Sequence, residues 1–309
     1  MLQQQLAQVG AAGVRGAVQQ AAAVLLRVRP SRQEDNATSL STTPTTVQVG
    51  GDTFEFGHVF EPSATQQDIF EQSGCAVEFT LKGFNSTVFA YGQTGSGKTY
   101  TLGTAHNADN PGLIQRSVET LFASGAPQTV KASFIEIYQE RFKDLLAPVG
   151  AAETLAVAAK AAQRTVTSSA EALEVLASGA ERRTVGATLM NEASSRSHAV
   201  FALEVELTAA DGKFYTPKLQ FVDLAGSESA KRTGATGRRL SESANINQSL
   251  LALGKVLSAL RDKKAHVPYR DSKLTTLLMD SLGGSARTVP TPSPSARESP
   301  HTRARALPR

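Results

Sequence analysis

The sequence is poor in several residues that would indicate particular classes of protein. It contains no tryptophan and a single cysteine, Cys75, which excludes an internal disulfide and favours a reducing compartment. We expect Cys75 to be a small buried hydrophobe. The longest apolar run near the start, Ala21 to Leu26, is far too short to cross a bilayer, so we expect no membrane segment.

Acidic residues are missing from the first 33 positions. Organelle transit peptides share this feature, but three of the four arginines there, Arg27, Arg29 and Arg32, lie at or beyond the end of a predicted first strand. We therefore interpret residues 1–20 as a weakly ordered lead-in, with a transit peptide as the alternative.

The positive charge of the chain is local. Residues 1–227 carry 17 Lys/Arg and 22 Asp/Glu, whereas residues 228–273 carry ten and four. A local excess of this kind is typical of a surface that binds an acidic partner, either protein or nucleic acid. The block lacks interleaved aromatic residues, which favours an acidic protein over nucleic acid.

The most informative stretch is Gly92 to Thr99, which fits the phosphate-binding P-loop pattern. Its glycines can adopt positive φ, so the loop can offer several N–H groups to a polyphosphate. Lys98 would reach the β and γ phosphates, and the Thr99 hydroxyl would bind Mg²⁺. The apolar run Ser86 to Tyr91 predicts a buried parallel strand before the loop. The expected nucleotide-binding residues of the loop are Gly92, Gln93, Thr94, Gly95, Ser96, Gly97, Lys98 and Thr99.

A P-loop enzyme also needs a second magnesium anchor and a sensor of the γ-phosphate. Asp223, at the end of an apolar strand, would hold a Mg²⁺-bound water, and Gly226 would offer its N–H to the γ-phosphate. The serine loop at 194–197 offers hydroxyl groups, and its Arg196 could pair with Glu228 to close the site. A capping cluster and a surface salt bridge are the alternatives for the serines and the arginine.

The pattern of apolar residues predicts an α/β fold. Residues 31–46 are predicted to be a surface loop. Five of the 13 prolines lie in the last 20 residues, which is a disordered composition. The predicted strands are 21–28, 86–91, 130–138, 201–207 and 218–224, and the predicted helices are 65–82, 112–123, 169–178 and a long one through Ile246 and Leu260.

Six stretches, in this order, resemble the kinesin motor domain over residues 22–289, and within that family a kinesin-4-like subtype is our hypothesis. The resemblance implies a P-loop NTPase with a mixed central sheet flanked by helices on both faces, and a microtubule-stimulated ATPase. The stretches are Arg-Val-Arg-Pro (27–30), Phe-Ala-Tyr-Gly-Gln-Thr-Gly-Ser-Gly-Lys-Thr-Tyr-Thr (89–101), Asn-Glu-Ala-Ser-Ser-Arg-Ser-His (191–198), Val-Asp-Leu-Ala-Gly-Ser-Glu (222–228), Asn-Ile-Asn-Gln-Ser-Leu-Leu-Ala-Leu-Gly (245–254) and His-Val-Pro-Tyr-Arg-Asp-Ser-Lys-Leu-Thr (266–275).

The same resemblance implies ATP and Mg²⁺ as cofactors and a role for each matching residue. Ser194, Ser195 and Arg196 would belong to the first switch loop, with Ser195 on Mg²⁺. The segment from Asp223 to Glu228 would be the second switch loop, and Glu228 would help to relay the proton of the attacking water. The residues implied around the adenine are Arg27, Arg29, Pro30 and Tyr100.

Tubulin is the acidic partner that the resemblance implies for the basic block, which would place the protein on cytoplasmic microtubules. A solvated surface charge is the alternative for each residue. No heptad stalk is evident, so nothing in the sequence supports dimerisation. The candidate microtubule-binding residues are Lys231, Arg232, Arg238, Arg239, Lys264, Arg270 and Lys273.

The chain departs from the family pattern at three places. Ser229 stands where the family usually has arginine, and residues 147–165 are shorter and blander than the family's hairpin. After Val289 the chain becomes rich in proline, where the family has a last core strand, a last helix and the neck linker. We therefore expect a motor domain at 21–289 that lacks these elements, followed by a disordered tail at 290–309.

Two other functions remain open at this point. A non-motile remnant would bind nucleotide and microtubules without delivering a stroke. An unrelated P-loop GTPase is disfavoured because the chain has no Asn-Lys-x-Asp sequence to read guanine.

Overall fold

A computed structural model describes residues 24–30, 40–49, 51–104, 109–127, 129–148, 154–189, 196–208, 212, 214–228, 238–282 and 287–292. Its strands are β1 (Leu25–Arg27), β2 (Leu40–Thr42), β3 (Thr46–Val49), β4 (Asp52–Glu55), β5 (His58–Phe60), β6 (Ser86–Tyr91), β7 (Thr129–Tyr138), β8 (Arg141–Asp144), β9 (Thr154–Leu155), β10 (Arg164–Val166), β11 (His198–Thr208), β12 (Phe214–Tyr215), β13 (Lys218–Asp223) and β14 (Arg287–Pro292). Its α-helices are α1 (Gln66–Ser73), α2 (Cys75–Leu81), α3 (Lys98–Leu102), α4 (Leu113–Ala123), α5 (Ser169–Leu189), α6 (Arg238–Arg261), α7 (Lys273–Leu277) and α8 (Met279–Leu282).

The central sheet is mixed, as the family resemblance implies. Its strands run in the order β14-β6-β13-β11-β7-β8-β9, with β10 paired to β7 and β12 to β11. Strands β14, β6 and β13 are parallel, whereas β11 is antiparallel to both β13 and β7. The P-loop strand β6 therefore lies beside β13, the strand that ends at Asp223.

Helices cover both faces of the sheet because alternate residues of each strand point to opposite faces. In β6, Val88 and Ala90 pack into one core, while Phe89 and Tyr91 pack into the other. Residues of α1 to α5 join the first core, and residues of α6, α7 and α8 join the second. This arrangement confirms the predicted helix-covered sheet. No described helix combines the length and apolar character needed to cross a bilayer.

Three predictions of local structure need correction. The predicted helix at 65–82 is two helices, α1 and α2, which meet at Gly74. The predicted loop at 31–46 overlaps a small antiparallel sheet of β2, β3 and β4, because threonine and valine favour extended backbone. Helix α5 continues to Leu189, eleven residues past its predicted end at Ser178.

Strand β14 is present in the part of the chain where the sequence predicts that the last core strand is absent. Residues 287–292 pair in parallel with residues 86–91 along the full length of β6. The prediction that this strand is absent is therefore wrong, and so is the start of the tail at Pro290. On the other side of β14 lies β1, which pairs in parallel with β5 in a separate two-stranded sheet.

Candidate functional site

The P-loop joins β6 to α3 and folds back around its own lysine. Gly95 and Gly97 have φ angles of 77° and 97°, which glycine adopts without strain. Lys98 Nζ donates to the carbonyl oxygens of Gly92 and Gln93, both at 2.9 Å. The ammonium group therefore lies within the loop that the sequence assigns to phosphate binding.

The environment of Lys98 is poorly solvated and carries two carboxylates. Burial lowers the pKa of Lys98, while Asp223 and Glu228 raise it and so support the charged form. A buried cation next to acidic groups is suited to meet a phosphate group, since phosphate oxygens can replace the loop carbonyls as acceptors.

Asp223 accepts hydrogen bonds from three side chains of the site. It is 1% exposed at the carboxyl end of β13. Its Oδ2 accepts hydrogen bonds from Thr99 Oγ1 at 2.9 Å, Thr104 Oγ1 at 3.2 Å and Arg183 Nη1 at 3.0 Å. The fold thus brings together Thr99 and Asp223, two residues that the sequence assigns to magnesium.

The predicted second switch loop lies against the P-loop. The Glu228 carboxylate accepts the Thr94 backbone N–H at 2.9 Å and also the Thr94 hydroxyl. A Cβ added to Gly226 would clash with Thr94 Oγ1 and with the Glu228 carboxylate, so a larger residue there would push these two side chains aside. The Ser227 N–H donates to the carbonyl oxygen of Gly92.

The predicted first switch loop is only partly described. Arg196 is half-buried, and its pair with Glu228 stays a prediction. Ser194 and Ser195 lie outside the described residues.

The predicted adenine residues divide into a buried member and an exposed surface. Arg27 is 8% exposed, and its guanidinium carbon lies 5.0 Å from the centre of the Tyr100 ring. Tyr100 is 46% exposed, Arg29 is half-buried and Pro30 is exposed. The buried Arg27 guanidinium therefore packs against a face of the Tyr100 ring instead of facing solvent.

Comparison with known families bears directly on these loops. The family model described as the kinesin motor domain matches residues 16–303. The chain belongs to the kinesin motor family. The match confirms the family predicted from the six motifs and disfavours an unrelated P-loop GTPase. The kinesin-4-like subtype stays a prediction.

Curated kinesins are similar to this chain over most of its length. Kinesin-related protein 5 of Dictyostelium discoideum is 38% identical, covering 86% of this chain and 30% of that protein. Human kinesin-like protein KIF27 is 41% identical, covering 86% and 21%. The kinesin heavy chain of Gibberella moniliformis is 46% identical, covering 76% and 27%. The chain therefore spans less than a third of the length of these relatives.

A solved structure supports the same assignment at the level of the fold. It is described as "Structure of a fast kinesin: Implications for ATPase mechanism and interactions with microtubules". The TM-score is 0.79 at 38% identity, covering 89% of this chain and 85% of that chain.

The polar groups of this kinesin site fit magnesium together with a nucleoside triphosphate. Within the described ranges, no group of three or more His, Cys, Asp or Glu residues could hold a metal alone. A single carboxylate beside a hydroxyl, Asp223 with Thr99, is the kind of partial ligand set that Mg²⁺ completes with waters and phosphate oxygens.

Sequence reasoning missed a buried polar network behind the magnesium residues. Arg183, on α5, pairs with Asp223 and donates to the Ser197 carbonyl oxygen at 3.1 Å. Its Nε lies 3.7 Å from Glu136 on β7, and Glu136 accepts the Ser197 hydroxyl at 2.6 Å. Arg183 has no motif spacing that would single it out, because its partners lie far away in the sequence.

His198 is a second missed residue of this kinesin site. Its Nδ1 accepts the Ala225 N–H at 3.0 Å, so the remaining ring proton is on Nε2, which lies 2.7 Å from Ser249 Oγ on α6. Burial, reinforced by Arg183, lowers the pKa of His198 to about 3. The neutral ring thus links the second switch loop to the long helix α6.

The predicted microtubule-binding residues are only partly visible. Lys264 and Arg270 are exposed around the end of α6. Lys273, on α7, is half-buried, with its ammonium 5.4 Å from the centre of the Phe142 ring. Lys231 and Arg232 lie outside the described residues, as do the side chains of Arg238 and Arg239.

Proposed function

We propose that this kinesin domain binds Mg-ATP, hydrolyses it and couples the hydrolysis to movement on microtubules. The observation that carries the proposal is the meeting of Thr99, Asp223 and Glu228 at one P-loop. Fold analogy alone supports only a P-loop NTPase, whereas these contacts support a magnesium site beside a switch loop.

Each residue of the site has a role in this proposal. The loop N–H groups and Lys98 would hold the phosphates. Thr99 would bind Mg²⁺ directly and Asp223 through a water, and the metal would polarise the phosphates when bound. The N–H of Gly226 would meet the γ-phosphate, and Glu228 would accept the proton of the attacking water.

The residues of the first switch loop complete this proposal. Ser195 would add a hydroxyl ligand to Mg²⁺, and Ser194 would contact the phosphate. Arg196 would pair with Glu228 and close the loop over the nucleotide. These roles are carried over by position in the family motif.

The microtubule is the proposed partner because the basic block follows the second switch loop and extends along α6 to α7. A cationic surface attracts the acidic surface of tubulin and speeds association. Exposed Lys264 and Arg270 are the described members of that surface. This partner places the protein on the cytoplasmic microtubule cytoskeleton.

The remnant alternative has lost its main support. It rested on the expected absence of the last core strand, the last helix and the neck linker, and β14 supplies a strand in that part of the chain. The family match also favours the motor. We therefore keep the motor as the single proposed function.

Steady-state ATP turnover with and without microtubules tests the proposal. We expect microtubules to stimulate turnover, and Lys98→Ala to abolish both ATP binding and turnover because the phosphates lose their cation. Lys82→Ala is the matched control, since Lys82 is an exposed lysine between α2 and the start of β6, whereas the P-loop follows the end of β6. Unchanged ATP affinity in Lys98→Ala would refute the nucleotide site.

A further inference from the structure

Gln66 is a buried polar side chain that connects two elements on the adenine side of the site. It is the first residue of α1 and is 1% exposed. Its Oε1 accepts Arg27 Nη1 at 2.9 Å, and its Nε2 donates to the Tyr100 carbonyl oxygen at 2.6 Å. A guanidinium can only donate and a carbonyl can only accept, so these two partners fix the orientation of the amide.

The hydrogen bond from Arg27 holds the guanidinium under the Tyr100 ring. The same Nη1 also donates to Thr101 Oγ1 at 2.8 Å. With two neutral acceptors beside it and the ring above it, the Arg27 charge is fixed in one place. Gln66 therefore contacts both parts of the stack, the guanidinium directly and Tyr100 through its backbone.

The Tyr100 ring is partly exposed among the described residues. The ring is 46% exposed, and its hydroxyl accepts Asn110 Nδ2 at 2.6 Å. One face thus rests on Arg27 and the edge is fixed by Asn110, while Tyr100 stands two residues after the P-loop lysine. An oriented ring in this place is a stacking surface for a planar base.

The start of α1 holds Gln66 firmly. Thr65 and Asp68 form a capping box, with Thr65 N–H donating to Asp68 Oδ2 at 2.7 Å and Asp68 N–H donating to Thr65 Oγ1 at 3.2 Å. Because the helix begins at Gln66, its amide has little freedom to follow a moving Tyr100.

We propose that Gln66 is a positioning residue for the nucleotide base: it holds the Arg27–Tyr100 stack in the orientation that the base contacts. The inference rests on the proposed ATP binding and adds a determinant that acts on the base and not on the phosphates. Preorganisation of this kind lowers the ordering cost of binding.

Calorimetric titrations with Mg-ATP and with Mg-ribose 5-triphosphate, which has no base, separate the two contributions. Gln66→Met keeps the length of the side chain and removes both hydrogen bonds. We expect it to weaken ATP binding by roughly tenfold, the usual effect of losing one hydrogen bond to a charged group. Ribose 5-triphosphate binding should stay within about twofold, since the phosphate contacts are unchanged.

Gln115→Met is the matched control. Gln115 is also a buried glutamine near α3, but it donates to the Gly103 carbonyl oxygen at 2.6 Å and accepts the Gly112 N–H at 3.0 Å. We expect it to change the two affinities by the same factor, because it touches neither Arg27 nor Tyr100 in the described contacts.

The outcomes are distinguishable. If the unmodified protein binds ATP and Gln66→Met weakens both ligands equally, or neither, the role of Gln66 is refuted while the ATP site stands. If the unmodified protein binds neither ligand, the proposed function fails and this inference fails with it. Should Gln66→Met not fold, Gln66→Glu keeps an acceptor for Arg27 but turns the donor to Tyr100 into a carboxylate oxygen that repels its carbonyl oxygen. A loss confined to ATP is then expected, and an equal loss for both ligands would refute the role.

Discussion

Arg183 shows how a single buried residue can support a site without belonging to its motifs. It lies between two buried carboxylates, Asp223 and Glu136, which are 1% and 6% exposed. Replacing it with a neutral side chain would leave both charges without this cation in a poorly solvated interior. Such a loss is strongly destabilising because the desolvation of the carboxylates is no longer offset.

We expect Arg183→Met to lower the free energy of unfolding by roughly 3–5 kcal/mol. Arg182→Met is the control, because Arg182 is half-buried and donates to the Ala147 carbonyl oxygen rather than to a carboxylate. Urea unfolding of both variants measures the difference. Similar midpoints for the two would contradict a structural role for the Arg183 network.

His198 makes stability depend on pH in a defined direction. Its pKa is lowered to about 3 in the folded protein, against about 6.5 when unfolded. Below pH 6.5 the unfolded chain therefore binds one more proton than the folded chain. The contribution of His198 is fully present above that pH and decreases by about 1.4 kcal/mol per unit as the pH falls toward 3.

Urea unfolding at pH 7 and pH 5 tests this dependence. We expect His198→Asn, whose amide oxygen can still accept the Ala225 N–H, to reduce the stability loss between the two pH values by roughly 2 kcal/mol. The exposed His266 supplies the control, and His266→Asn should leave the loss unchanged. An identical pH dependence in the His198 variant and the unmodified protein would contradict the assignment.

Some residues of the site could be predicted from the sequence and others could not, and the reason is physical. Thr99, Asp223 and Glu228 stand at fixed places in local motifs, so their identity and spacing suffice. Arg183 and Gln66 act through hydrogen bonds to partners that are 40 and 39 residues away. Only the packed fold brings these groups together.

At the scale of elements, β14 shows that proline does not exclude a strand. Residues of a strand alternate between its two edges, and Pro290 and Pro292 share one edge while Arg287, Val289 and Thr291 share the other. Proline removes only its own N–H. We therefore expect pairing with β6 to use the edge with three donors, which would leave the proline edge toward β1.

This division of edges explains why β1 and β14 lie side by side without a ladder in the described residues. It also explains why the sequence analysis did not predict β14, since the prolines were taken to exclude a strand from this whole segment. By contrast, β6 was predicted correctly because all six of its residues are buried, as expected for an apolar run.

A proline placed on the other edge of β14 should behave differently. We expect Thr291→Pro to remove a donor from the β6 ladder and to lower the free energy of unfolding by roughly 1–3 kcal/mol. Thr288→Pro, on the edge that already carries prolines, is the matched control and should cost less. Thermal or urea unfolding ranks the two variants. The reverse order would mean that β14 pairs through its proline edge.

At the scale of the whole molecule, the described part of the basic block lies on one side of the sheet. Lys264 and Arg270 belong to the side on which α6 and α7 pack, where the net positive block lies. Exposed charges are screened over about 8 Å at physiological ionic strength. The proposed microtubule contact should therefore weaken with added salt.

We expect the double variant Lys264→Glu and Arg270→Glu to raise the microtubule concentration for half-maximal ATPase stimulation by roughly tenfold at low salt. Basal turnover should be unchanged, because both residues lie outside the nucleotide site. Lys82→Glu reverses a charge on the opposite face and should have little effect. If duplex DNA stimulated turnover as well as microtubules do, the proposed partner would be wrong.

The direction of β14 has a practical consequence for measuring nucleotide binding. Because β14 is parallel to β6, Pro292 lies opposite Tyr91, and the next residue after Tyr91 begins the P-loop. The carboxyl end of β14 therefore lies at the same end of the strands as the nucleotide loop. We expect a fluorophore attached just after Pro292 to change its emission when nucleotide exchanges. A fluorophore attached just before Arg287 lies at the opposite end of the strands, so its emission should stay constant and serve as the reference.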